Sequence, residues 1–558
     1  AWQPLLDKYK ISAVMIQAMS TSIAEAAAQV TLTTLSRSPN WIQIYDDGLV
    51  AIFGRADAPA EDLAFFESNR WDSDRIVFKT EDTLPPFTQP PSAASVLDEV
   101  IAAKALAMVQ PHTQAAVRWL FPPSQTIDPE KPQLTPLANA IAAIREARRA
   151  IAAEPNQTQA YRVLTDAYRI LHSQEIAVVS GIELTPANTE QIVTLQAGPT
   201  PLGLRFRQRM TALNFAIMTS PRAVSESERQ VQAALHGEYA RMLLLANVYD
   251  LSRTHLRLAL EVYPEASNAG DLRTQLAQLD ELVLQRETEM NSMSLEEQAN
   301  AMFRIQRALA LGLVEPALAD LREAEATGSS PDTIVPLLVD LYCQLGMADQ
   351  AIPLMGNIGN KGMESTSGIS SYRQGLVQAL LGDYLGAYAG WANESIPVAE
   401  LDEVRNGLIA GKMWVSGEFG PATRSFLDLP DQGRMVASRA FELGILHLEA
   451  GQPKLAADAF TKALKRGKDL DFAPLAKYYL EKLGQPFVEP ASTEIKSDAP
   501  TVPDPSDKKP EAASATDSSG AKSVKTEPSE EKSAGDQAKK ESAPTQKGSQ
   551  TNPPKKPE

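Results

Sequence analysis

The chain has 558 residues, enough for two or three domains. Acidic residues outnumber basic ones, 70 to 53, for a net charge of -17, which disfavours a body built to grip nucleic acid. One cysteine, Cys343, excludes an internal disulfide and a cysteine-based zinc site, and no apolar run reaches the ~18 residues a membrane-crossing helix needs.

The first residues are Ala1-Trp2 rather than Met, which reads as a processed product or a fragment. Ile11, Ala13, Val14 and Ile16 predict a short buried strand, and Ser20 or Thr21 is placed to cap a helix over 22–35. Two apolar runs, Trp41 to Tyr45 and Leu49 to Phe53, are joined by Asp46-Asp47-Gly48 and predict a β-hairpin, with Gly48 taking the left-handed geometry. Residues 1–81 are therefore expected to form a small α/β module, and Pro85, Pro86, Pro90 and Pro91 mark 82–92 as a linker.

Residues 93–290 read as an irregular helical region. Helical spacing runs over 93–120, 137–153 and 160–171, then 205–218, 226–251, 254–262 and 271–289. Between them, 173–204, with Ile176, Val178 and Val179, reads as irregular structure with helix fragments.

A ladder then occupies 291–487. A Gly is followed by an Ala five residues on and a large apolar residue four further, at Gly312/Ala317/Leu321, Gly346/Ala351/Met355, Gly382/Ala387/Trp391, Gly417/Ala422/Phe426 and Gly451/Ala456/Phe460. The glycines are 34, 36, 35 and 34 residues apart, a period that signals stacked supersecondary units. Each Gly follows a helical stripe and ends it, the Ala lets two helices approach closely, and the large residue fills the space between hairpins. From 488 to 558 no aromatic residue occurs, and Ser, Thr, Pro, Lys, Glu and Ala dominate; such a segment cannot bury enough apolar surface to offset its ordering entropy, so a disordered tail is expected.

The rungs, and above all the copy over 437–468 with Leu443, Gly444, His447, Gly451, Ala456, Phe460 and Ala463, resemble the tetratricopeptide repeat (TPR). The copy departs from the family in having His447 for Tyr and no closing Pro. Ala143, Ala147, Ala150 and Pro155, then Tyr161, Leu164 and Tyr168, resemble a further repeat pair. The resemblance implies an α-solenoid whose first helices line a concave groove for a peptide or a partner helix. The family's groove positions fall on Asp340, Cys343, Gln344, Tyr372, Leu376, Trp414, Val415, Ile445 and Glu449. The opening, through Leu5, Leu6, Tyr9, Trp41, Tyr45, Asp46, Ala51, Phe53 and Arg55, resembles the outer-face module of bacterial multi-pass membrane glycosyltransferase-like proteins. That resemblance implies an extracytoplasmic location and tethering through a segment before Ala1. It implies no activity, since the transferase chemistry of such proteins belongs to their membrane part.

Other patterns carry little chemistry. The loop Gly356-Asn357-Ile358-Gly359-Asn360-Lys361-Gly362 lacks the Ser or Thr that must follow the Lys of a phosphate loop, and reads as a stretched inter-repeat turn. His112, His172, His236, His255 and His447 include no i, i+4 pair, which leaves a metal site unsupported. Asp46 and Asp47 read as turn residues rather than cation ligands, Cys343 as a small apolar residue near the groove, and no Ser/His/Asp set can be placed. The expectation is a mainly α chain with a small α/β module, acting without cofactor as a non-catalytic protein-interaction scaffold. The alternative is the soluble outer-face part of a glycosyltransferase-like membrane protein.

Overall fold

The computed structural model describes residues 3–17, 22–91, 111–121, 135–185, 203–220, 223–328, 331–355, 371–392, 432–467 and 470–488. The chain divides into two compact units, 1–489 and 490–558, and all of the described residues belong to the first. That unit is mainly helical with one three-stranded sheet. The tail expected over 488–558 lies outside the described residues, apart from Val488, as do Ser20 and Thr21.

The module runs α1 (Gln3–Tyr9), β1 (Ala13–Gln17), α2 (Ser22–Arg37), β2 (Trp41–Asp46), β3 (Val50–Arg55), α3 (Ala60–Ser68) and α4 (Ser73–Phe78). The strands are antiparallel in the order β1-β3-β2, with Met15 opposite Ile52 and Trp41 opposite Arg55. β1 is an edge strand, not the buried one expected: Ala13, Met15 and Gln17 are exposed while Val14 and Ile16 pack on Leu32, Leu35, Ala51 and Phe53. The hairpin turn closes as Asp-Gly sequences allow. Asp46 Oδ1 accepts from the Gly48 N–H at 2.9 Å, and Asp47 Oδ1 accepts from Leu49 and Val50 at 2.9 and 2.7 Å. Gly48 has φ +89°, and a β-carbon there would stand 2.2 Å from the Pro111 carbonyl oxygen. A helix over 111–120 (α5) therefore seats directly on the turn, tied by Arg118 Nη1 to Asp46 Oδ1 at 2.6 Å.

Helices then pair in sequence: α6 (Leu137–Ala153) on α7 (Thr158–Ser180), and α7 on α8 (Gly203–Thr219). Next, α9 (Glu226–Leu245) pairs with α10 (Tyr249–Val262), followed by α11 (Ala269–Asn291) and the short α12 (Leu295–Ala299). The ladder contributes α13 (Ala301–Leu311) with α14 (Val314–Ala326), α15 (Pro331–Gln344) with α16 (Ala348–Ala351), α17 (Ser371–Leu381) with α18 (Tyr384–Trp391), and α19 (Gln432–Glu449) with α20 (Pro453–Arg466). The last helix is α21 (Ala473–Lys482). One continuous core joins both sets of helices.

Gly312, Gly346, Gly382 and Gly451 end α13, α15, α17 and α19 with φ of 72°, 71°, 86° and 75°. Ala317, Ala351, Ala387 and Ala456 are all wholly buried, as are or nearly are Leu321, Met355, Trp391 and Phe460. Gly417, Ala422 and Phe426 lie outside the described residues, as does the loop over 356–362.

Three further sequence expectations need correction. Ile176, Val178 and Val179 continue α7 instead of opening irregular structure, because His172, Ser173 and Ile176 are buried on the face that already carries Tyr161 and Tyr168. The helix expected over 226–251 breaks at Ala246–Val248, where Asn247 takes φ 55°. The stretch expected to be a linker, though without regular structure, is attached to the body: the Asp82 N–H donates to the Gly451 carbonyl at 2.8 Å and the Asp82 carboxylate pairs with Arg149. Val77 and Phe78 of α4 likewise belong to the main core. Among the described residues no helix is long and apolar enough to cross a membrane.

Candidate partner-binding face

The residues expected to line a groove sit on the first helices of three rungs, α15, α17 and α19. Two of the chain's own helices lie against these: α8 packs on α15 and α17, and α6 packs on α19. The consequence is visible at each residue. Leu376, Cys343, Ile445 and Glu449 are buried, the last two completely, so none of them is available to an outside partner. Trp414 and Val415 lie outside the described residues. Of the described groove positions, only Asp340, Gln344 and Tyr372 keep part of their surface accessible.

Those three stand in a defined polar setting. Arg373 donates from Nε and Nη2 to both Asp340 oxygens at 2.9 Å, a two-point pairing that fixes the carboxylate. The Tyr372 ring stacks on Trp391 at 5.8 Å, the Arg439 guanidinium lies 5.5 Å from the centre of the Tyr372 ring, and the Tyr372 hydroxyl lies 3.4 Å from Glu442 Oε1. Burial pushes the Glu442 carboxyl up to about 7, partly offset by Arg207 and Arg439. Burial likewise raises the Tyr372 hydroxyl. Arg207, on α8 and half-buried, faces the same space.

Glu449, expected at the groove, is instead the centre of an internal charge network. It accepts from Arg205, from Gln208 Nε2 at 3.0 and 3.1 Å, from the Tyr384 hydroxyl at 3.1 Å and from the Tyr168 hydroxyl at 3.4 Å. Arg205 Nε also donates to both Glu175 oxygens at 3.1 Å, and the Tyr479 hydroxyl donates to Glu175 at 2.5 Å. Arg148 joins through the Tyr168 hydroxyl at 3.2 Å. Two guanidinium groups face two carboxylates in a fully buried site, so the charges balance. Burial raises the Glu175 carboxyl and Arg205 counters it. For Arg205 the two carboxylates outweigh burial, and the guanidinium stays charged.

The rung glycines do a second job that the sequence did not disclose. Each ends a helix whose last carbonyls have no partner within that helix, and the neighbouring layer supplies donors. The Tyr239 hydroxyl donates to Leu345 O at 2.6 Å and Asn214 Nδ2 to Gly346 O at 3.2 Å. Arg148 Nη1 donates to Leu381 O at 3.2 Å, and Arg145 Nη2 to Leu448 O at 2.7 Å. The approach is so close that a β-carbon on Gly346 would stand 2.4 Å from the Met210 carbonyl carbon, and one on Gly451 2.4 Å from Asp82 Cβ.

A further rung has no glycine. Asn247, Ser252 and Leu256 repeat the spacing with Asn for Gly and Ser for Ala; Asn247 is left-handed, and Ser252 and Leu256 are buried. Allowing Asn and Ser in the pattern would have found it, since Asn is the commonest substitute in that conformation.

The remaining candidates carry no reactive arrangement. Burial pushes the Cys343 thiol up to about 12, which suppresses the thiolate. His447 is half-buried against Tyr388, its Nδ1 2.8 Å from Gln452 Oε1. His172 is wholly buried and burial drives it down to about 3. A cavity of about 830 Å³ opens between α4, α7 and α21, with the Asp74–Lys482 pair on its wall. Compared with protein-family models, curated proteins and solved structures, the chain matches none.

Proposed function

We propose that this chain is a TPR-like, non-catalytic interaction scaffold whose partner surface is the part of the first-helix face that its own helices leave uncovered. What supports the reading is the recurrence of one local arrangement: left-handed Gly, buried Ala and buried large residue at four equivalent helix junctions. Units of this kind stack because no single hairpin buries its own apolar stripe. The deep part of the face serves the chain itself, through α6 and α8. Gln344, Asp340, Tyr372 and Arg207 at its margin form a mixed polar and aromatic surface suited to a peptide or helix of a partner protein.

The test is affinity capture from the source cell with the intact chain, comparing Gln344→Arg and Tyr372→Ala with Leu455→Glu, a change at an exposed position of α20. A partner seated on this face is lost at least about tenfold with the first two, ~1.4 kcal/mol or more, and is retained with the third. Equal recovery in all three overturns the proposal.

A second reading is favoured by the module. Leu6, Ala51 and Phe53 of the membrane-protein resemblance are interior and Arg55 pairs with Asp7 and Asp57 at 2.7 Å, while Leu5, Tyr9 and Tyr45 are exposed. On this reading the chain is the outer-face part of a membrane glycosyltransferase-like protein. Coding sequence ahead of Ala1 with several apolar spans of about 20 residues supports it; a start codon adjoining Ala1 sinks it.

A further inference from the structure

The cavity between α4, α7 and α21 holds about 830 Å³, within the ~300–1,000 Å³ typical of sites that take small molecules. The described residues that line it belong to none of α15, α17 and α19, so it is separate from the proposed partner face. Its floor is apolar, built from the buried side chains of Phe78, Leu137 and Ala177. Its wall continues through Val178 to Ile182, just past the left-handed Gly181 that ends α7. Ile182 is 41% exposed, so an apolar wall faces open space that an apolar ligand would gain by covering. The polar groups come from α4 and α21. Lys482 Nζ pairs with Asp74 Oδ2 at 2.9 Å and lies 6.0 Å from the centre of the Tyr478 ring. Tyr478 is half-buried, and burial raises its hydroxyl, which keeps the proton in place as a donor.

We propose that this cavity binds a small amphiphile with an uncharged, hydroxyl-bearing head, its apolar tail on the floor of Phe78, Leu137 and Ala177 and its head at Asp74, Tyr478 and Lys482. The ion pair selects the head. An anionic head would have to compete with Asp74 for the ammonium, and would meet a second carboxylate, Glu183, on the lining. A cationic head would have to compete with Lys482 for Asp74. A hydroxyl is both donor and acceptor. It can donate to the Asp74 carboxylate and accept from Lys482 or Tyr478 while the pair stays intact. The apolar floor, in turn, excludes a ligand that is polar throughout, because buried polar groups without partners are costly.

The test is octyl glucoside, held below its micelle-forming concentration and titrated into the intact chain by calorimetry. One molecule per chain is expected. Octanoate and octylammonium keep the tail and change the head, and each binds at least about tenfold more weakly. Val178→Trp fills the cavity and Ile182→Asp puts a charge on its wall; each weakens octyl glucoside at least about tenfold. Tyr478→Phe weakens it about fivefold, the loss of one hydrogen bond. Leu455→Glu, on α20, leaves it unchanged. Absence of saturable binding overturns the site. So does full affinity in Ile182→Asp, which changes an exposed position and leaves the core untouched even where Val178→Trp does not fold. Octanoate or octylammonium bound as tightly as octyl glucoside overturns the assignment of the head.

Discussion

Arg145 on α6 donates through Nη2 to the main-chain oxygen of Leu448, next to last in α19, at 2.7 Å and across 303 positions of sequence. The same nitrogen donates to Val77 O at 3.1 Å, so one buried side chain fastens α4, α6 and α19. Burial lowers its pKa to about 10, and the nearby Asp82 carboxylate offsets part of that. Arg145→Ala leaves buried acceptors without this donor and is expected to destabilise the first unit by about 2–3 kcal/mol. Arg145→Lys recovers only part, because a single ammonium does not reproduce the planar fork. Urea unfolding midpoints of the two variants check the order.

Gly346 separates two roles of a left-handed glycine. Its φ is 71°, and a β-carbon would also strike the backbone of Met210 at 2.4 Å. Gly484 has φ 74° but open space around it. Gly484→Ala is therefore expected to cost only the conformational strain, about 1–2 kcal/mol, whereas Gly346→Ala must also push α8 off α15 and costs well beyond that. Equal melting temperatures for the two variants would show that the layers are not in contact at this junction.

Glu449→Gln tests the buried network. The substitution keeps size and one acceptor but leaves Arg148 and Arg205 facing a single carboxylate, Glu175, in a site without solvent. Removing one partner of a buried charge set costs about 3–5 kcal/mol, so the variant should unfold at markedly lower denaturant. A shift under ~1 kcal/mol would mean that the network is not formed.

How far the sequence could be read follows from what each residue answers to. The hairpin at Asp46–Gly48 and the ladder junctions were legible because turn chemistry and helix termination are local. The apolar period placed most helices for the same reason. What lies on the far side of Gly346 or Gly451 was not legible, since a glycine demanded by φ looks the same as one demanded by a neighbouring helix. Glu449, Ile445 and Leu376 were assigned to a groove because family position says where a side chain points, not what has been laid over it. The Arg205–Glu449 pair spans 244 residues, and no spacing rule reaches that far.

Glu442 gives a pH dependence with a definite sign. Burial raises its carboxyl from 4.5 to about 7, so the folded chain holds this proton more tightly than the unfolded one. Its contribution to stability is full below about pH 4.5 and is lost as pH rises through 7. Glu442→Gln, which keeps an oxygen acceptor for the Tyr372 hydroxyl, should remove that slope and stabilise the chain at pH 8 by on the order of 2–3 kcal/mol. Denaturation midpoints for both proteins at pH 5 and pH 8 are the measurement; parallel profiles would sink the idea.

Asn247 tests whether the rung without glycine works as the others do. Its φ is 55°, and its Oδ1 accepts from the Tyr249 hydroxyl at 3.1 Å. Asn247→Gly relieves the strain but gives up that hydrogen bond, two effects of about 1 kcal/mol each that nearly cancel. Asn247→Val has no such compensation, because a β-branched residue fits the left-handed region worst, and should cost about 2 kcal/mol or more. At the next point of the same rung, Ser252→Ala preserves the small volume between α9 and α10 and forfeits only the bond to the Ala240 carbonyl, about 1 kcal/mol. Ser252→Leu puts three carbons in place of one oxygen at a wholly buried position and should exceed all of these. Thermal melts that rank the variants as Gly above Val at 247, and Ala above Leu at 252, would mark this junction as equivalent to those at Gly312 and Gly346; a flat ranking would make the shared spacing a coincidence.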